Sequence, residues 1–216
     1  MPHKEHFASD GRKLPSVTEV FQTELLEAIS HPGLCEWYGR LGLKKALAVK
    51  DAAAKLGRNV HEGVEAYLTQ VPLQLDLTAQ EKTLVDCALQ WVEESGFQVV
   101  KTEDGHTSEK MGYGGTFDAV GFFPSNPDCL CVIDWKTSGY QSSTWGMQIA
   151  AYAALYKEKF NVKDQLEAGI VWIRKNLKKP RAEFLPYSQI ELHFDAFLNV
   201  LDTYNYLKRE EKRIGG

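Results

Sequence analysis

The stretch Leu130–Lys136, which reads LCVIDWK, decides the fold class. Its apolar and β-branched residues predict a buried strand. Because alternate side chains of a strand share a face, Asp134 and Lys136 are predicted to lie together, with Trp135 pointing to the opposite layer. Charged side chains at the end of an apolar strand need partners or a function. This strand therefore carries both the core of a sheet and a candidate reactive site.

The acid-x-Lys pattern is weak by itself, because residues 210–212 (EEK) repeat it in a polar terminal run. The preceding predicted strand supplies context. Within residues 114–120 (GGTFDAV), the side chains of Thr116, Asp118 and Val120 are predicted to share a face. If the two strands pair, Asp118 meets Asp134. Two adjacent carboxylates repel, and a divalent cation is the usual way to keep both ionised.

Two helical patterns add polar groups. In residues 57–65 (GRNVHEGVE), His61 and Glu65 are four apart and share a helix face. An imidazole beside two carboxylates makes a mixed nitrogen and oxygen site that suits Mn²⁺ or Mg²⁺. Gln148 and Tyr152 are likewise four apart. For both pairs the alternative is a packing role on an amphipathic helix.

The predicted elements form a layered domain. Ser16, Thr78 and Ser188 each precede a Glu by three residues, the capping-box pattern of a helix start. Helices are predicted over about 17–30, 46–72, 78–96, 143–160 and 188–207, and strands over 97–103, 107–111, 115–123, 129–136, 167–173 and 182–187. This order predicts an α/β (α+β) fold with a mixed central sheet flanked by helices. We expect one domain over 1–216: a mainly helical part (1–96), a sheet core with the motif helix (97–187) and a C-terminal helix (188–216).

Composition excludes several classes. The chain of 216 residues is 44% hydrophobic and 25% charged, which does not fit a disordered tail, a collagen-like fibre or a disulfide miniprotein. No apolar run approaches the roughly 18 residues of a membrane helix, and the polar start lacks a secretory signal, so we expect a cytoplasmic protein. Four cysteines without a C-x-x-C pair are expected to be thiols.

Net charge is −4, so the whole molecule does not attract polyanions, and phosphate binding would need local clusters. Two basic clusters are candidates for the walls of a nucleic-acid groove, the alternative being a solvated helix face and a basic turn. They are Lys44, Lys45, Lys50, Lys55 and Arg58, and Arg174, Lys175, Lys178, Lys179 and Arg181.

The order of these motifs resembles a known family. Gly57-x-x-x-His61, Gly115-Thr116-x-Asp118, Asp134-x-Lys136 and Gln148-x-x-x-Tyr152 are similar to the motif series of RecB-type exonucleases in the PD-(D/E)XK nuclease superfamily. Phage exonucleases and the mitochondrial genome maintenance exonuclease belong to the same group. Residues 14–18 (LPSVT) resemble the stretch that opens many such domains, so the resemblance runs from about residue 14 to 156.

The resemblance implies a restriction-endonuclease-like core and a metal-dependent DNA nuclease. Its metal ligands would be His61, Asp118, Asp134 and the backbone carbonyl of Trp135, holding Mg²⁺ or Mn²⁺. Lys136 would be catalytic together with the two aspartates. Gln148 and Tyr152 would support the site or touch DNA.

The same resemblance places further acids at Glu65 and Glu103. No cysteine follows Cys131, so the iron–sulfur cluster of one branch of the family is not expected.

The activity that the resemblance implies is that of an exonuclease on single-stranded DNA or DNA ends in replication, recombination or repair, in a prokaryotic or phage-infected cell. The alternatives are a structure-specific or end-trimming endonuclease and a catalytically inactive nucleic-acid-binding module.

Overall fold

The computed structural model describes residues 5–21, 33–163 and 165–215, without the side chain of Cys35. Helices and strands alternate in groups along these ranges. The helices are α1 (Val17–Val20), α2 (Leu34–Leu41), α3 (Leu43–Thr69), α4 (Ala79–Ser95), α5 (Trp145–Phe160) and α6 (Ile190–Ile214). The strands are β1 (His6–Phe7), β2 (Lys13–Leu14), β3 (Gln98–Ser108), β4 (Tyr113–Phe123), β5 (Asn126–Lys136), β6 (Glu167–Arg174) and β7 (Arg181–Pro186).

Five strands form the central sheet, in the order β3-β4-β5-β6-β7. The pairs β3-β4, β4-β5 and β6-β7 are antiparallel, whereas β5 and β6 are parallel. A parallel pair needs a crossover connection, and α5 supplies it between β5 and β6. The predicted mixed sheet flanked by helices is therefore confirmed. The small pair β1-β2 is an addition that the sequence did not predict.

Apolar side chains cover both faces of the sheet. On one face, Tyr113, Phe117 and Val132 pack against residues of α5 and α6. On the other face, Ile133 and Trp135 pack against residues of α3 and α4. The opposite placement of Val132 and Ile133 follows the predicted alternation along β5, and it makes the fold three layers deep.

Two of the three predicted capping boxes are present. The hydroxyls of Ser16 and Thr78 accept from the backbone N–H of the Glu three residues later, and Gly96 ends α4 with a positive φ of 66°. The prediction for Ser188 is wrong. Helix α6 starts after Gln189, whose left-handed φ of 55° turns the chain out of β7, and no side chain caps this helix.

Other boundaries differ in detail. Predicted strand 97–103 and the first two residues of predicted strand 107–111 form one strand, β3, because Gly105 stays paired with Thr116, whereas residues 109–111 lie in a turn. Of the predicted helix 17–30, residues 17–20 are helical, and residues 22–30 lie outside the described part of the chain. Among the described residues, no helix has the length and apolar character needed to traverse a bilayer.

Candidate active site

The site begins where β4 and β5 stop pairing. Their ladder runs to the pair Ala119 and Ile133, and the next residues, Asp118 and Asp134, carry the carboxylates. Oδ2 of Asp118 accepts a hydrogen bond from the backbone N–H of Trp135 at 2.7 Å. A side chain therefore takes over the hydrogen bonding of the sheet at this point, which fixes the position of one acid relative to the other strand.

This change interrupts the regular alternation of β4. Phe117 and Val120 pack in the same core cluster, while Ala119 packs in the cluster on the other face. Thr116 and Asp118 line a cavity, but Val120 lies in the core. The predicted common face therefore holds for Thr116 and Asp118 but is wrong for Val120, because strict alternation is lost where β4 stops pairing with β5.

Helix α3 and strand β3 bring two more ligand groups to Asp118. Nδ1 of His61 lies 3.1 Å from Oδ1 of Asp118. One ligand atom each of His61, Glu103 and Asp118 lies within 4.8 Å of the other two. Glu103 lies across from Asp118 on β3 and has a φ of 44°, a left-handed conformation that is uncommon for a residue with a Cβ. The resemblance named Glu103 only as a further acid, and a positive φ leaves no signal in the sequence.

Asp134 lies at the same cavity but outside this close group of three described residues. Its side chain is only 4% exposed, and Nζ of Lys136 is 2.6 Å from its Oδ2. This contact is an ion pair rather than a directed hydrogen bond. Oδ2 of Asp134 is thus a buried oxygen with no hydrogen-bond donor among the described residues. The predicted proximity of Asp134 and Lys136 is present in the structure.

Burial and mutual charge shift the acids in opposite directions. Burial disfavours the charged form of Asp118, but His61, Lys136 and the Trp135 N–H outweigh it and hold the pKa of Asp118 below its ordinary value. Burial raises the pKa of Asp134 to about 6, against the attraction of Lys136 and with a further rise from Asp118. Burial lowers the pKa of His61, yet Asp118 raises it to about 9 overall. A divalent cation would have to displace this imidazole proton, because a ligating histidine is neutral.

Helix α5 places Gln148 and Tyr152 at the same cavity. Nε2 of Gln148 lies 3.2 Å from the hydroxyl of Tyr152, and both side chains are buried. The Tyr152 ring lies close to β4, where a Cβ at Gly115 would be only 2.8 Å from its Cε1. Glycine at this position therefore allows the helix to approach the strand. Burial and the charge of Asp134 raise the pKa of Tyr152 well above its ordinary value.

The cavity has a volume of about 430 Å³ and draws its walls from distant parts of the chain. The N-terminal motif contributes one wall, where the N–H of Gly114 donates to the carbonyl of Pro15 at 3.0 Å. Arg58 of α3 and Lys175, which follows β6, contribute cations. Within the described ranges, no carboxylate lies within 4 Å of either cation. The two predicted basic clusters therefore each bring one side chain to the cavity.

The donor set fits a divalent cation. It combines one imidazole with the oxygens of Glu103 and Asp118, and the buried Oδ2 of Asp134 lacks a hydrogen-bond donor among the residues described. Hard oxygen ligands suit Mg²⁺ and Mn²⁺, and the nitrogen favours Mn²⁺. A cation here would neutralise carboxylates that otherwise repel each other.

No protein-family model matches the chain, and no curated protein matches it. Solved structures do show similarity. A protein from Eubacterium rectale with a provisional exonuclease name shares 14% identity over 70% of this chain and 68% of its own, with a TM-score of 0.41. An alkaline exonuclease from Laribacter hongkongensis shares 14% identity over 73% and 86%, with a TM-score of 0.36, and its complex with dAMP gives 17% over 75% and 97%, with a TM-score of 0.29. TM-scores below 0.5 denote a partial superposition, so these similarities assign no function to the chain.

Proposed function

We propose that this protein is a divalent-metal-dependent deoxyribonuclease of the RecB-type, PD-(D/E)XK group. The observation that carries the proposal is the meeting of His61, Asp118, Asp134 and Lys136 at one cavity, although 75 positions separate the first from the last. All four of these groups are titratable and mostly withdrawn from water, which is costly unless they serve a purpose.

The cation would be held by His61, Asp118 and Glu103, with Asp134 and the Trp135 carbonyl as the further ligands that the family resemblance implies. When bound, Mg²⁺ or Mn²⁺ supplies a polarised phosphoryl oxygen and a water of lowered pKa. The acids serve this role because such cations prefer hard oxygen ligands.

Lys136 supplies positive charge beside the acids. A phosphodiester is already anionic and gains further negative charge in the transition state, which an ammonium group in a half-buried site offsets. Gln148 and Tyr152 form a hydrogen-bonded pair at the cavity wall, where they support the site or contact the substrate. Arg58 and Lys175 line the same cavity without acidic partners among the described residues and would bind neighbouring phosphates.

The preferred substrate is single-stranded DNA degraded from an end, as the family resemblance implies. We infer a role in replication, recombination or repair in a prokaryotic or phage-infected cytoplasm, with residues 1–216 acting as one nuclease domain. Walls from the helical part and the sheet core enclose the same cavity, which supports a single functional unit.

The test is cleavage of end-labelled linear and closed circular single-stranded DNA in Mn²⁺, Mg²⁺ or EDTA. We expect a ladder from one end of the linear strand with metal, no products with EDTA, and intact circles. The variant Asp134→Asn is expected to be inactive, whereas Asp128→Asn, an exposed acid near the start of the same strand, keeps full activity.

Each remaining outcome has a distinct meaning. Cleaved circles would replace the exonuclease with an endonuclease that uses the same site. Retention of DNA without cleavage under any metal would instead identify a binding module and overturn the proposal. Full activity of Asp134→Asn would contradict the site assignment.

A further inference from the structure

A second cavity, of about 530 Å³, borders the same N-terminal segment as the candidate active site. Residues 16–18 line the first cavity, whereas residues 12–15 and Glu19 line the second. The C-terminal half of α6 forms the facing wall of the second cavity. Residues 12–19 therefore form a wall that the two cavities share.

The second cavity is basic in an acidic protein of net charge −4. Five cations line it, Arg12, Lys13, Lys208, Arg209 and Lys212, against one lining acid, Glu19. Three of these cations belong to α6 and are close in sequence: Lys208, Arg209 and Lys212. Lys208 and Lys212 are four residues apart, so their like charges repel. Such a concentration of positive charge attracts anions.

The acids around this cavity do not neutralise it fully. Lys13 pairs with Glu5 at 2.9 Å, Arg12 with Asp10 at 3.7 Å, and Lys208 with Glu211 at 2.9 Å. All three pairs are largely exposed, and exposed pairs contribute little. An incoming phosphate can therefore compete with these carboxylates.

Two of the cations are not engaged in this way. Neither Arg209 nor Lys212 has a carboxylate within 4 Å in the part of the chain that the structure describes. Glu19 has a structural role, because it accepts the hydroxyl hydrogen of buried Tyr204 at 3.0 Å and its backbone N–H closes the cap of α1. The uncompensated charge of the cavity therefore comes from exposed side chains of α6.

We propose that this basic cavity binds the phosphodiester backbone of the nucleic-acid strand whose end occupies the first cavity. The inference rests on the proposed function, which places the end of a DNA strand in the first cavity. Because the two cavities share a wall, the same strand can extend into the second cavity. The backbone contacts would add affinity without base readout, as contacts between lysine or arginine and phosphate do. A longer strand would then bind more tightly than a short one that fills only the first cavity.

The experiment measures anisotropy of labelled single-stranded DNA in EDTA, so that cleavage does not interfere. A short probe of about 6 nucleotides is compared with a long probe of about 30. Removing two phosphate contacts with Arg209→Gln/Lys212→Gln is expected to make the slope of log K against log salt shallower by about 1.4 and to weaken long-probe binding roughly 25-fold in 0.1 M salt. Binding of the short probe stays unchanged.

Two further variants separate a site from a change in net charge. Lys82→Gln/Lys163→Gln removes the same charge from exposed positions that line neither cavity, and it is expected to bind both probes normally. Arg209→Lys/Lys212→Arg keeps the charges and is expected to keep the affinity. The four substituted side chains are exposed, so melting temperatures should not change.

An unchanged salt slope and affinity for the long probe would overturn this proposal. Equal weakening by the control double variant would overturn it as well, because the effect would then be one of net charge. Neither result touches the proposed function, which depends on the variants of the first cavity and on cleavage of short substrates.

Discussion

Two carboxylates of the same sheet, Asp104 on β3 and Asp134 on β5, each lie beside a lysine yet differ in pKa. Burial raises the pKa of Asp104, but Lys159 and Lys101 outweigh it and hold this pKa below its ordinary value. Burial and the nearby charge of Asp118 raise the pKa of Asp134 to about 6, although Lys136 acts against this rise.

The two acids differ in how fully lysine charge compensates them. Lys159 is fixed by a second bond, since its Nζ also donates to the Gly105 carbonyl at 2.8 Å. Asp104 therefore has two lysine partners, although its buried Oδ2, like that of Asp134, has no hydrogen-bond donor among the described residues. Asp134 pairs with one lysine, Lys136, among the described residues, and Asp118 adds a second carboxylate beside it. We infer that a cation completes the cluster around Asp134, which the following experiments test.

The largest effect is expected for Asp134→Asn. Loss of the carboxylate should lower kcat on linear single-stranded DNA by about 1000-fold. The melting temperature of the metal-free variant should not fall, because burial already disfavours the charged form. Asp104→Asn is the matched control and is expected to keep kcat within about twofold. If Asp104→Asn loses activity as completely as Asp134→Asn does, the two acids do not differ in their contribution to activity.

Replacing the lysine beside each acid with glutamine tests the same comparison. Lys136→Gln should lower kcat by about 100-fold, since the amide cannot offset charge on the phosphate. Lys159→Gln should leave kcat unchanged and lower the free energy of unfolding. Single-turnover cleavage and urea titration of both variants measure the two quantities. Equal losses of activity in the two variants would contradict the assignment.

The contribution of Glu103 to the metal site is expected to be smaller. Glu103→Gln should weaken Mn²⁺ binding by about 10-fold, measured by calorimetry on the DNA-free protein. Glu93→Gln, an exposed acid on α4, is the control and should bind Mn²⁺ normally. If Glu103→Gln binds Mn²⁺ as the unaltered protein does, the three-residue group of His61, Glu103 and Asp118 does not hold the cation.

The smallest effect concerns stability at the ion pair of Asp104. Asp104→Asn should lower the free energy of unfolding at pH 7 by about 1.5 kcal/mol, because bonds to charged groups are lost. The folded pKa of Asp104 lies below its unfolded value, so this stability is present above the unfolded pKa and is lost as pH falls through the folded one. Urea titrations at several pH values should therefore show the two proteins converging in acid. A difference that persists in acid would contradict the ion-pair explanation.

Local chemistry made much of the fold predictable. The sheet strands, helix α5 and the capping boxes at Ser16 and Thr78 follow from hydrophobic periodicity and from the backbone groups that each helix start leaves free. The predicted capping box at Ser188 is absent because Gln189, which has a left-handed backbone conformation, precedes the first residue of α6. The prediction of two strands in place of β3 is wrong because pairing with β4 overrides the turn preference of Gly105.

By itself, the sequence determined the order of elements, the mixed sheet and the residue types gathered in His61, Asp118, Asp134 and Lys136, since periodicity and motif spacing are local properties. Only the tertiary structure decided that Glu103, rather than Asp134, lies in the close group with His61 and Asp118. That choice depends on a backbone φ and on the point where two strands stop pairing, and both are set by contacts between residues far apart in the chain.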